Sequence, residues 1–188
     1  MTMIELGSKF IRRGLWLFVF GLVIGFGPWA HYMHGAMEEV QPAFLKNVTL
    51  WWGCPWTLSV YVTQVGSLAM VLFGLCYMVS GRSTSTPASA GERLALTLCL
   101  FGIVSEFVAG YLFYFVVNSI WPNFYFTPID EGKHLWLGVQ GACIALCVAG
   151  AVLAVKGIGR AMDAAAQKED LRLPSTEIGS SRISKTSR

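Results

Sequence analysis

Glu106 needs a physical account before any other residue. It lies near the middle of a long apolar run, and none of the four such runs in the chain contains a lysine or arginine to pair with it. A carboxyl group placed there must be protonated, hydrogen-bonded to a tyrosine or glutamine, or reached by water. A neutral carboxylic acid is a hydrogen-bond donor, which serves acid catalysis and plain structure equally well. Further polar groups follow on the same run. At 100° per residue Tyr111, Tyr114 and Asn118 fall within about 60° of arc, and Glu106 lies about 80° from Tyr114. Tyr61 and Gln64 share a face of the preceding run by their i, i+3 spacing, and Gln140 opens the last one. Two readings stay open: the groups line one aromatic-rimmed pocket, or they tie the helices together by interhelical hydrogen bonds.

Histidines and cysteines are the remaining candidates. His31 and His34 are i, i+3, and His134 stands just before the last apolar run. All three fall at the same end of their runs, so joint ligation of a metal or haem is geometrically feasible. Their plainer role is as interfacial side chains. Of the five cysteines, Cys54 is isolated and no C-x-x-C pair occurs. This disfavours a thiol redox relay. Cys143 and Cys147, four residues apart, are expected to pack as small apolar side chains.

The elements that must position these residues are membrane helices. The 188 residues are 54% hydrophobic and 13% charged, with a mean hydropathy of +0.55. A soluble domain carries roughly twice that charged fraction. The composition argues against a soluble globular domain, a disordered chain, a nucleic-acid binder and a disulfide scaffold. Apolar runs cover residues 14–33, 57–79, 94–118 and 135–155. Each is near the 20 or so residues a helix needs to cross the hydrocarbon core. They are continuous instead of alternating, so helices are expected and not a β-barrel. The first run is long and lacks a clear small-x-small cleavage site, so it reads as a span and not a cleaved signal peptide. The expected fold is all-α: a polytopic membrane four-helix bundle over residues 1–160, followed by a largely disordered tail at 161–188, of which Arg160 to Gln167 can extend the last helix. Small residues (Gly21 and Gly25; Gly138, Ala142, Ala145 and Ala149) allow close helix contact within the bundle or in a homo-oligomer.

Orientation follows from lysine and arginine. Lys9, Arg12 and Arg13 precede the first run, Arg82 and Arg93 lie between the second and third, and Lys156, Arg160, Lys168, Arg172, Arg182, Lys185 and Arg188 follow the fourth. The opposite side has Lys46 and Lys133. Positive residues stay cytoplasmic, which places both termini on the cytoplasmic face of the cell membrane. The link GRSTSTPASAG (81–91) is small and polar and carries no chemistry. The outer segments, 34–55 and 119–134, are rich in tryptophan, tyrosine and phenylalanine that suit the membrane interface.

This layout resembles the styrene oxide isomerase family of small integral membrane proteins, which convert aryl epoxides to aldehydes. The similarity is carried by GLWLFVFGLVIGFGPW in the first span, SEFVAGYLFYF in the third, and Gly138-Val139-Gln140-Gly141 at the start of the fourth. It covers most of residues 12 to 160. The resemblance implies that Tyr111 is the catalytic tyrosine, with Tyr114 and Asn118 shaping the pocket; by its helix position Glu106 is expected to border the same cavity. The resemblance also implies haem b, held by a histidine early in the second helix with an asparagine two turns on. Here that helix reads TLSVYVTQVGSLAMV and contains neither; Val60 or Tyr61 and Gly66 or Ser67 occupy those places. Either another histidine, His31 or His34, then ligates haem, or this chain has no haem and a different substrate. The implied reaction is an isomerisation without net redox change of a small lipophilic epoxide drawn from the lipid bilayer, with Tyr61, Gln64 and Gln140 contacting the substrate. The competing expectation is a non-enzymatic membrane subunit or anchor that binds haem or quinone for a partner complex.

Overall fold

The computed structural model describes the backbone of residues 1–39, 55–120 and 131–172, and the side chains of 1–23, 58–112 and 138–172. These residues form four helices and no strand: α1 (Met3–Glu39), α2 (Pro55–Ser83), α3 (Ala90–Ile120) and α4 (Glu131–Asp170). Three are long and apolar enough to cross a membrane, over Leu58–Ser83, Ala90–Leu112 and Gly138–Asp170. The apolar run 14–33 lies within α1, but most of its side chains fall outside the described residues.

Two helices begin with the same device. Thr2 and Glu5 exchange hydrogen bonds, the Thr2 amide donating to Glu5 Oε2 at 2.9 Å and the Glu5 amide to Thr2 Oγ1 at 3.2 Å. Ser89 and Glu92 repeat the arrangement at the start of α3, at 2.5 and 3.3 Å. Each pair satisfies amides that the first turn of a helix leaves free. α4 continues past its apolar run to Asp170, through the good helix formers Ala161, Ala164, Ala165, Ala166 and Gln167.

Polarity is inside out. Leu15, Trp16, Val23, Leu68, Leu72, Phe101, Val148 and Val152 are exposed, whereas Ser59, Thr63, Ser67, Glu106 and Gln140 are buried. Water would not tolerate so much continuous apolar surface. A lipid surround would, and it removes the hydrophobic drive between helices, leaving close packing and hydrogen bonds to hold them.

Small residues every seven positions supply that packing. Consecutive helices run antiparallel. On α1, Gly7 meets the backbone of Gly74, Gly14 that of Ser67, and Gly21 the side chains of Thr63 and Gln64. On the seam of α3 and α4, Gly102 accommodates Cys147 and Gly150 accommodates Cys99. Each cysteine fills the space its facing glycine leaves. The small residues Gly138, Ala142, Ala145 and Ala149 are exposed; the stripe of α4 that packs within the chain is instead Cys143, Cys147, Gly150 and Gly157.

α2 is the central element. It packs against α1, α3 and α4, while α1 barely touches α3. Near the α2–α3 link, Phe10 stacks on Tyr77 with centroids 5.7 Å apart, and the Tyr77 hydroxyl donates to the Ala154 carbonyl at 3.0 Å. The first residues close this end: Thr2 bridges Pro87, and the Ala88 amide donates to the Met1 carbonyl. Arg160 grips buried Glu92 through two hydrogen bonds, at 2.7 and 3.3 Å, fixing α4 to the start of α3.

Candidate functional site

Toward the other end, three helices place polar side chains against one another. Ser59 of α2 faces α3 and α4 because Gly110 of α3 has no side chain to block it; a Cβ there would collide with the Ser59 hydroxymethyl group. The Ser59 hydroxyl donates to Glu106 Oε1 at 3.1 Å. It accepts from Gln140 Nε2 of α4 at 2.5 Å. Glu106 and Gln140 are 0% and 1% exposed, so the chain Gln140–Ser59–Glu106 lies buried among the three helices.

The direction of these bonds fixes what is left over. Ser59 has one proton, and it goes to Glu106 Oε1. Glu106 Oε2 is buried with no hydrogen-bond partner among the described residues. Thr63 Oγ1 and both amide atoms of Gln64 are in the same condition. The Gln64 amide lies against Gly21 of α1, where a Cβ would stand 2.5 Å from Nε2. Buried polar atoms without partners are rare, and these single out this part of the structure. Next to Glu106 in α3, Phe107 lies 5.7 Å from Phe20 of α1 and stacks on Tyr111 at 6.2 Å with the planes 14° apart.

Of the candidate residues, Glu106 and Gln140 are brought together, with Ser59 between them. Gln64 is partly buried at the contact of α1 with α2. Tyr111 is partly exposed on the turn beyond Glu106, and Tyr61 lies on the exposed side of α2. The side chains of Tyr114, Asn118, His31, His34 and His134 lie outside the described residues. Ser59 and Thr63 escaped the reading of single polar residues because small hydroxyls are common in apolar helices. Their signal was the hydroxyl at every fourth position, Ser59, Thr63 and Ser67, which traces a slowly turning polar stripe along α2.

Further along α2, Gly66 and Ser67 are closely packed. Gly66 faces Ile103 so closely that a Cβ would stand 2.9 Å from it. The Ser67 hydroxyl is turned onto the Thr63 carbonyl at 2.5 Å. Set against known proteins, the chain matches no family model, no curated protein and no solved structure.

Proposed function

We propose that this chain is a four-span protein of the cell membrane, a helical bundle with both termini cytoplasmic, that rearranges a small lipophilic epoxide to a carbonyl compound. The observation that carries this reading is the buried Glu106 carboxyl, held by Ser59 through one oxygen and without a hydrogen-bond partner among the described residues at the other. In this reading Glu106 acts as the neutral acid, as carboxyl groups in apolar sites do when no cation is near. Oε1 accepts from Ser59, and Oε2 carries the proton.

The chemistry balances without an added oxidant or reductant. Glu106 protonates the epoxide oxygen, and Tyr111 donates a hydrogen bond that orients it. The C–O bond at the substituted carbon breaks, and its electron pair goes to oxygen. The faces of Phe107 and Tyr111 stabilise the developing cation. Hydride moves from the neighbouring carbon with its electron pair, and the resulting protonated carbonyl returns its proton to Glu106. Tyr61, Gln64 and Gln140, with Tyr114 and Asn118, are the further residues assigned to substrate contact in this reading. No step runs through haem.

The test is incubation of the protein, reconstituted in vesicles, with styrene oxide and with alkenyl epoxides, reading aldehyde by chromatography. Wild type is expected to form the aldehyde. Glu106→Gln should lower the rate by about 10²-fold or more, the usual contribution of a positioned acid, and Tyr111→Phe should lower it too. Wild-type yields from both variants would remove the assigned roles. If no epoxide gives a carbonyl product, the isomerase reading is dropped. A Soret band that disappears in His31→Ala or His34→Ala would favour the haem- or quinone-binding subunit instead.

A further inference from the structure

The opposite end of the molecule carries a different feature. Between the end of α2 and the extension of α4 lies a cleft of about 750 Å³. It is lined by Arg82, Lys168 and Arg172 against one carboxylate, Glu169, together with Ser80 and Ser83. Positive charge at this end is expected of any chain that orients by lysine and arginine. That rule does not account for a cleft, nor for the surface that leads into it.

Val65, Leu68, Leu72, Leu75 and Val79 of α2 are all exposed. Their alternating spacing of three and four keeps them on one helix face. Arg82 is the next position on that face. On α4 the exposed Val148, Val152 and Val155 continue by the same rhythm through Gly159 to Met162, which lines the cleft. Two apolar stripes thus end at one group of cations, where the apolar run of α2 gives way to polar residues. A soluble anion would use only the cations. A phospholipid has a phosphate for the cleft and acyl chains for the stripes.

We infer that this cleft holds the phosphodiester headgroup of an anionic phospholipid whose acyl chains lie along the exposed faces of α2 and α4. The experiment uses the full chain purified in detergent, with phosphatidylglycerol and phosphatidylcholine of identical acyl chains, read by native mass spectrometry and thermal melting. Phosphatidylglycerol should stay bound and raise the melting temperature, and phosphatidylcholine should do neither. The double variant Arg82→Gln/Arg172→Gln should weaken retention of phosphatidylglycerol at least tenfold, while Arg12→Gln/Arg13→Gln, which removes the same charge from α1, should leave it unchanged. Equal retention of the two lipids would overturn the proposal, and this comparison needs no variant to fold. Equal loss in the α1 variant would assign the effect to overall charge. Displacement of phosphatidylglycerol by inorganic phosphate alone would make the cleft a free-anion site. Either result removes the lipid from it.

Discussion

Ser59 is small, yet it is the one residue that touches both other members of the buried polar chain. Replacing it with alanine removes a donor from Glu106 and an acceptor from Gln140. Hydrogen bonds between helices in an apolar surround are worth about 0.6–2 kcal/mol each, so Ser59→Ala should lose about 1–4 kcal/mol, read as a lower melting temperature in detergent. Gly110→Ala should have the same effect, because its methyl group would push the Ser59 hydroxyl away from Glu106. Glu106→Gln behaves differently. Its amide oxygen can still accept from Ser59, so the variant should keep most of its stability and lose the acid. Stability and aldehyde formation are thereby separable at this cluster. An outcome in which Glu106→Gln melts as early as Ser59→Ala would mark Glu106 as a structural group. Glu106 and Gln140 were legible as buried polar residues in apolar runs. Their connection through Ser59 was not, because three helices far apart in sequence must meet before it exists.

Helix seams give a sharper contrast among chemically identical residues. A methyl group on Gly7 would stand 2.6 Å from the Gly74 carbonyl oxygen, and one on Gly74 2.6 Å from that of Gly7. Backbone cannot swing aside as a side chain can. Gly7→Ala or Gly74→Ala should therefore separate α1 from α2 and lose about 1–3 kcal/mol, the usual range for overpacking. Among the described residues, Gly138, Gly141 and Gly159 have nothing within 4 Å of the added methyl. At those positions alanine should be neutral or stabilise by up to about 1 kcal/mol through helix propensity. Thermal melts of the five variants decide it, and a uniform response would contradict the seam assignment. Four apolar runs announced four helices, but not which face of each would pack. The small residues of α4 at 138, 142, 145 and 149 look as suitable as those at 143, 147, 150 and 157. Only the fit of Cys147 to Gly102 and of Cys99 to Gly150 selects the second set.

At the scale of the molecule, the N-terminus, the α2–α3 link and the extension of α4 gather at one end, which the Glu92–Arg160 pair holds closed. Arg160 is half exposed and Glu92 is 2% exposed, so Glu92→Gln leaves a buried amide facing a guanidinium. The expected loss is about 1–2 kcal/mol, with the link opening to protease before the rest of the chain. Sidedness has its own test. In a cysteine-free background, Ser85→Cys in the link should resist a membrane-impermeant maleimide in intact cells and react after permeabilisation. Labelling in intact cells would invert the proposed orientation. The cluster of Ser59, Glu106 and Gln140 would then sit on the cytoplasmic side, and the cleft beside Arg82 would face outward.

The sequence by itself determined an all-helical chain with apolar runs of membrane-crossing length, because continuous apolar stretches leave the backbone no partner but its own carbonyls. It also determined the gathering of basic residues on alternate connections. Tertiary structure decided that α2 is the hub, that α1 flanks it, and that Ser59 joins Glu106 to Gln140. Those facts depend on which helix faces meet. Faces are chosen by the complementary shapes of glycine and cysteine across a seam, and such a match is a property of two segments together that neither one displays alone.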